Sequence, residues 1–328
     1  MSRLPQAAPK GASVEDPGTA AELEPERIAA GDLVAEISPA IGGSVSAFYT
    51  ASTGSRERHD WLRPADASAF AERSALGMAS FPLVPWCNRI RDGRFEWNGR
   101  TVQLPPNADG SPHTMHGIGW RRPWQVSARG GHWIELEHRD DGRAAWPFAF
   151  EALQRHALDA EGLSITLTLR NTGLEPMPAG IGHHPFFKHR RSNGGTVVRA
   201  AVSAIWLGDA DVLPTALSTA EPAVAALRNG MPIAHFDLDN NFTGFGREAT
   251  VRWPDASGLR LEATAPLDFF VLYTPADRDI FVMEAVSNCT DWINLRSTRR
   301  AAEIGGAALE PGQTLRATTR FVPLRAAG

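Results

Sequence analysis

Phe150-Glu-Ala-Leu-Gln-Arg-His-Ala-Leu158 and Leu163-Ser-Ile-Thr-Leu-Thr-Leu169 stand either side of Asp159-Ala-Glu-Gly162. Two β-favouring runs broken by a short polar turn ending in glycine read as a hairpin. The design recurs outward in both directions. Thr250-Val-Arg-Trp253 and Leu259-Arg-Leu-Glu262 repeat it across Pro-Asp-Ala-Ser-Gly. Phe95-Glu-Trp97 and Thr101-Val-Gln-Leu104 bracket Asn98-Gly99, a strong two-residue turn because both positions tolerate positive φ. Residues 33–37 and 44–48 flank Gly42-Gly43, residues 133–137 alternate, and runs at 269–273, 280–285 and 315–322 complete the series. Helical periodicity is weak, confined to residues near 64–76 and 219–227. Many short strands punctuated by Gly and Pro predict an all-β sandwich or barrel, and such folds reach this length as one domain. That domain is expected over residues 27–328, with no composition break inside it. Residues 1–26, where Pro5, Pro9, Gly11, Pro17 and Pro25 stand among Ala and Glu, read as a disordered, solvated tail.

Bulk properties exclude whole classes of function. A net charge of −4 over 328 residues leaves no basic stripe for nucleic acid. No stretch approaches the roughly 18 apolar residues of a membrane span. The two cysteines, Cys87 and Cys289, cannot build a disulfide framework. With no signal peptide in the sequence, the expectation is a reduced, cytoplasmic protein. There is no Gly-rich phosphate loop, no paired Cys or His at metal-finger spacing and no repeat of fixed period. Ten tryptophans against two tyrosines is unusual. Strand packing accounts for most of them, while Trp86 and Trp292 could offer ring faces to a sugar.

Chemistry-bearing residues sit in four apolar segments. Asn88-Arg89 follows Phe81-Pro-Leu-Val-Pro-Trp-Cys87, a rigid extended element, so Arg89 is either a surface charge or a guanidinium held against a specific acceptor. His116 precedes Gly-Ile-Gly, where glycines permit close approach, and fits a capped structural role as well as a ligand-facing one. His183-His184 ends an apolar run, and neighbours in an extended chain face opposite ways, so at most one imidazole enters a given pocket. Glu284 interrupts Ile280-Phe-Val-Met-Glu-Ala-Val286, where a carboxylate is costly unless exposed or paired. Asp239, in Asp237-Leu-Asp-Asn-Asn-Phe242, reads by itself as a turn-former. A carboxylate, imidazoles and a planar cation can move protons around a small polar substrate without a cofactor.

The ordered set resembles the aldose 1-epimerase (galactose mutarotase) family from about Glu36 to Phe321. Asn88-Arg89-Ile90, Gly93, Phe95, Leu104, Asn107 and His116-Gly117 look like its front half. His184-Pro-Phe-Phe187, Asp239-Asn-Asn-Phe242, Glu284 with Asp291 and Asn294, and Leu309-Glu-Pro-Gly-Gln-Thr-Leu315 look like its later segments. Departures are Ala285 for the usual Pro, Asn240 for the usual His, and Cys289-Thr-Asp-Trp292 before the final motif. The resemblance implies a β-supersandwich of two large, mostly antiparallel sheets and a monosaccharide substrate in a cleft across one of them. It implies Glu284 as general base, His184 as general acid, His116 and Arg89 positioning the ring, and Asp239 on sugar hydroxyls. Asn88 and Trp292 complete the expected site. Neither a metal nor a cofactor is expected, nor a nucleic-acid or membrane partner, and the protein is expected to be a monomer or homodimer. One alternative is a hexose-6-phosphate 1-epimerase, with Arg121-Arg122 or Arg190-Arg191 as phosphate ligands. Another is a non-catalytic sugar-binding protein of the same fold.

Overall fold

A computed structural model describes residues 23–52, 54, 57–108, 110–191 and 195–325. Among them the strands form two large antiparallel sheets, one of 11 strands and one of 9. The hairpin either side of Asp159–Gly162 is central to the smaller sheet. Phe150–Leu158 pairs with Leu163–Asn171, Leu158 opposite Leu163. Asp159 closes the turn by accepting the N–H groups of Glu161 and Gly162 at 2.8 and 3.0 Å. Gln125–Gly130 and Trp133–Asp140 extend this sheet on one side. Thr314–Leu324, Gly258–Ala263, Glu248–Arg252, Val197–Ala200 and Met231–Pro232 extend it on the other.

The larger sheet runs in space Glu26–Ala30, Leu33–Ser38, Ser44–Thr50, Ser80–Leu83, Gly182–Lys188, Ile280–Val286, Phe269–Tyr273, Asp239–Thr243, Ala204–Gly208 and Pro214–Ser218. His59–Asp60 pairs off Ser44–Thr50. Asn98 and Gly99 take φ of 49° and 75°, the conformation their two-residue turn requires. Helix is as sparse as the sequence suggests. Ala67–Ala71 is capped by the Asp66 carboxylate on the Ala69 N–H, and Pro222–Asn229 starts on a proline at its first turn. Of the expected tail, residues 1–22 lie outside the described residues. Leu23 packs against Ile41, Ala69 and Met78, and the first strand begins at Glu26.

Alternation decides what each sheet face does. On Phe150–Leu158 every second residue is buried, Gln154 and His156 included. Gln154 Oε1 lies 3.3 Å from His183 Nε2 on the larger sheet, so His183 faces the space between the sheets. The core there is filled by side chains such as Phe187 and Phe281, stacked at 5.2 Å. Residues one step along, His184 and Phe186, therefore face outward, under the segment that runs from Val84 to Arg121. Trp120 from that segment stacks on Phe81 at 5.4 Å. Burying each such aromatic contributes on the order of 2 kcal/mol, which ties the covering segment to the sheet.

Candidate active site on the outer face of the larger sheet

Register lines up the central residues. Gly182 pairs with Val286 and Phe186 with Val282, which sets His184 opposite Glu284. Glu284 in turn lies opposite Val271, Val271 opposite Asn241, and His184 opposite Phe81. One outward row thus reads Asn241, Val271, Glu284, His184, Phe81. The next row brings Asp239 opposite Tyr273 and Tyr273 opposite Val282. His184 Nε2 lies 3.5 Å from Glu284 Oε1. The imidazole is stacked on Phe81 at 4.5 Å and touches Phe186 at 4.6 Å, so apolar rings fix its plane.

The covering segment supplies the remaining groups. Asn88 and His116, both at left-handed φ (61° and 62°), clasp each other. His116 N–H donates to the Asn88 carbonyl at 2.9 Å, and Asn88 N–H donates to His116 Nδ1 at 3.3 Å. An imidazole that accepts at Nδ1 carries its proton on Nε2. The His116 and His184 rings meet edge to face at 5.3 Å. Arg89 donates through Nη1 to Asn88 Oδ1 and through Nη2 to Asp239 Oδ2, each at 3.3 Å, joining the segment to the sheet. Asp291, another left-handed residue, fastens the same region. Its N–H donates to the Arg89 carbonyl at 2.9 Å, while its Oδ1 accepts from Arg91 N–H and Asn294 Nδ2.

Burial sets the electrostatics. Glu284 is 2% exposed, and among the described residues its Oε2 has no hydrogen-bond partner. Desolvation pushes its carboxyl well above the usual range, Asp239 adds to the rise and Arg89 opposes it. His184 is driven down to about 3, first by desolvation and then by the positive fields of Arg63 and Arg89. His116 is lowered well below its ordinary value by burial, His184 and Arg89. Burial thus works against an ion pair at the His184–Glu284 contact. Both partners are pushed toward their neutral forms, carboxylic acid beside imidazole. A neutral pair of this kind holds one proton, and passing it from Oε1 to Nε2 produces a carboxylate beside an imidazolium with no change in proton count.

Glu284, His184, His116, Arg89, Asn88 and Asp239 are brought together. Trp292 is linked elsewhere: its ring meets Trp97 edge to face at 6.4 Å, and Gly306 lies flat on it, where a Cβ would stand 2.3 Å from the indole. Trp86 packs on Trp146 at 4.7 Å inside the core. Sequence reasoning missed Phe81 and Arg63 as neighbours of His184. Arg63 lays its guanidinium 4.3 Å over Phe186, donates to the carbonyls of Leu76 and Met78, and is lowered by burial to about 10. Phe186 was legible, two residues from His184 on the same strand face. Phe81 and Arg63 carried no signal, because strand pairing and a loop crossing place them there. Among the described residues no group of three or more His, Cys, Asp or Glu is placed to hold a metal ion. No helix among them is long and apolar enough to cross a membrane.

A family model for aldose 1-epimerase matches residues 28–322, and the chain belongs to that family. It is 30% identical over 260 residues to the uncharacterized Escherichia coli K12 protein YphB, covering 76% of this chain and 83% of YphB. Its fold is that of an Escherichia coli K12 protein whose assignment as an aldose 1-epimerase is provisional, with TM-score 0.79 and 26% identity over 91% of this chain and 98% of that one. A galactose mutarotase-like protein from Clostridium acetobutylicum shares the fold with TM-score 0.80 at 20% identity, over 92% and 95% of the two chains. The all-β reading and the two-sheet galactose mutarotase-like architecture hold.

Proposed function

We propose that this chain interconverts the α and β anomers of a free aldose by acid/base-catalysed ring opening and reclosure. The observation that carries the reading is the His184 Nε2–Glu284 Oε1 contact of 3.5 Å on a buried sheet face. The anomeric hydroxyl and the ring oxygen of a pyranose are bonded to the same carbon. Two groups this close on one face can therefore serve both. Polar sugar hydroxyls and Arg89 favour the charged form of the pair, in which His184 has taken the Glu284 proton. The Glu284 carboxylate then removes the O1 proton and His184 delivers its proton to O5. The C1–O5 bond breaks as the C1 carbonyl forms, giving the open aldehyde. Rotation about C1–C2 and the reverse transfers on the other carbonyl face yield the second anomer and restore both side chains. His116, with its Nε2 proton, and Arg89 hold the ring, while Asp239 accepts from sugar hydroxyls. Each proton transfer contributes on the order of 10²–10⁴ in rate.

The phosphorylated-sugar alternative draws little support from the arginines it needs. Arg190 is paired with Asp255, and Arg191 with Asp279 and the carbonyls of Ala276 and Arg278. Arg121 donates to the Asn107 carbonyl. The deciding measurement is polarimetry of freshly dissolved α-glucose, α-galactose and L-arabinose. Faster mutarotation of at least one sugar is expected, and unchanged rates for all three would overturn the reading in favour of a binding protein.

A further inference from the structure

His116 holds a backbone conformation that its own chemistry does not favour. A β-substituted residue at φ 62° is strained, and Gly117 follows at φ 74° with its Cα pressed so close to Val84 that a Cβ would stand 1.9 Å from the carbonyl oxygen. Two left-handed residues in succession turn the peptides on either side of His116 away from ordinary strand pairing. Their polar groups need partners. The His116 N–H goes to the Asn88 carbonyl, and Asn107, in the loop between Arg100–Gln103 and Thr114–Met115, takes groups of Met115 and Gly117. Its Nδ2 donates to the Met115 carbonyl at 2.8 Å and to the Gly117 carbonyl at 3.2 Å, and its Oδ1 accepts the Met115 N–H at 2.7 Å. One carboxamide thus grips the chain immediately before and after His116. It uses donors and acceptor together, a combination that a carboxylate cannot offer.

We infer that Asn107 is a positioning residue for His116, setting the backbone turn that presents the imidazole to His184 and to substrate. It touches neither reacting atom and acts through the imidazole. The inference rests on the epimerase reading for its kinetic consequence but not for its geometric one.

The test uses Asn107→Asp, which keeps shape and acceptor but turns an oxygen toward two carbonyls, together with Asn107→Ala. Circular dichroism and thermal melting establish that each variant is folded. In Asn107→Asp, kcat/KM is expected to fall about 10²-fold, the scale of displacing a positioned group by an ångström. In a His116→Asn background the same change is expected to cost almost nothing further, because the two residues act as one unit. Additive losses, or an Asn107→Asp enzyme with wild-type kcat/KM, would overturn the assignment. Long-range ¹H–¹⁵N spectra of the imidazoles give the second readout. The wild type is expected to show His116 protonated at Nε2, with that signature lost in both variants. A His116 spectrum unchanged in both would sink the proposal even if the wild type proved inactive on every sugar, whereas inactivity alone would count only against the epimerase reading.

Discussion

His183 and His184 are chain neighbours that serve opposite sides of one sheet. His184 Nε2 points outward to Glu284 at 3.5 Å, and His183 Nε2 points inward to Gln154 at 3.3 Å. His184→Asn should therefore lower kcat by at least about 10²-fold, the loss of a positioned general acid. His183→Asn should leave kcat within about threefold of wild type and appear instead as lost stability, since it disturbs a buried contact. Anomerisation rates and melting curves of both variants check the ranking. The opposite ranking would move the acid role to His183.

Glu284→Gln should abolish nearly all activity and raise the melting temperature. The amide matches the carboxyl in shape but cannot take the O1 proton. Burial raises the Glu284 pKa, so the carboxylate form is disfavoured in the folded state. Stability associated with that group is present below its unfolded value and is lost as pH rises through the folded one. At pH 8 the glutamine variant escapes that loss. A variant that keeps more than about a tenth of the rate, or that melts lower than wild type at pH 8, contradicts this account.

The register that joins His184 to Glu284 was legible only in part. Hairpin turns such as Asn98-Gly99 and Asp159–Gly162 announce themselves locally, because their φ preferences and side-chain caps are written in two to four residues. Parity along a strand was legible too: it allowed only one of His183 and His184 into the site, and the resemblance at His184-Pro-Phe-Phe187 chose which. The meeting of His184 with Glu284, 100 residues apart in sequence, follows from strand order, and strand order is not encoded in any window. The tryptophans mark the same boundary. Ring size says they will be buried, but not whether the covering atoms belong to ligand or protein, and Trp86 is covered by Trp146.

Acid should unfold the protein through its buried imidazoles. His156, His183 and His184 are each lowered to about 3, mainly by desolvation, from an ordinary 6.5. A depressed histidine adds no pH dependence above its unfolded value. Between pH 6.5 and 3 the unfolded chain binds the extra protons, so stability falls with pH. Each contributes a slope on the order of 1 kcal/mol per pH unit in that window. The histidines add no slope from pH 7 to 8, and melting temperature is expected to fall as pH drops below 6. His156→Phe should flatten the acid limb. An equally steep limb in that variant would refute the role of His156, whose two ring nitrogens have no partner among the described residues.

Asp239→Ala should raise KM more than it lowers kcat, since Asp239 accepts from the Arg89 fork and, in the proposed mechanism, holds sugar without moving a proton. With the wild type, kcat/KM for a free aldose should exceed that for its 6-phosphate by at least about tenfold, a discrimination of roughly 1.4 kcal/mol. Preference for the phosphate, abolished by replacing Arg190 and Arg191, would reverse the substrate assignment.

The alternation that separates His183 from His184 also governs Met283 and Glu284, where one step along the chain exchanges the two faces of the sheet. Tolerance to insertions and deletions should therefore be sharply uneven along this gene. Losing a single codon between 182 and 184, or between 280 and 284, would hand the outward position to the wrong neighbour and leave the pairing otherwise satisfiable. Such a protein would lose the His184–Glu284 meeting and turn outward-facing groups into the core between the sheets. In this fold, reading frame along a strand decides which side chains meet as much as their identity does.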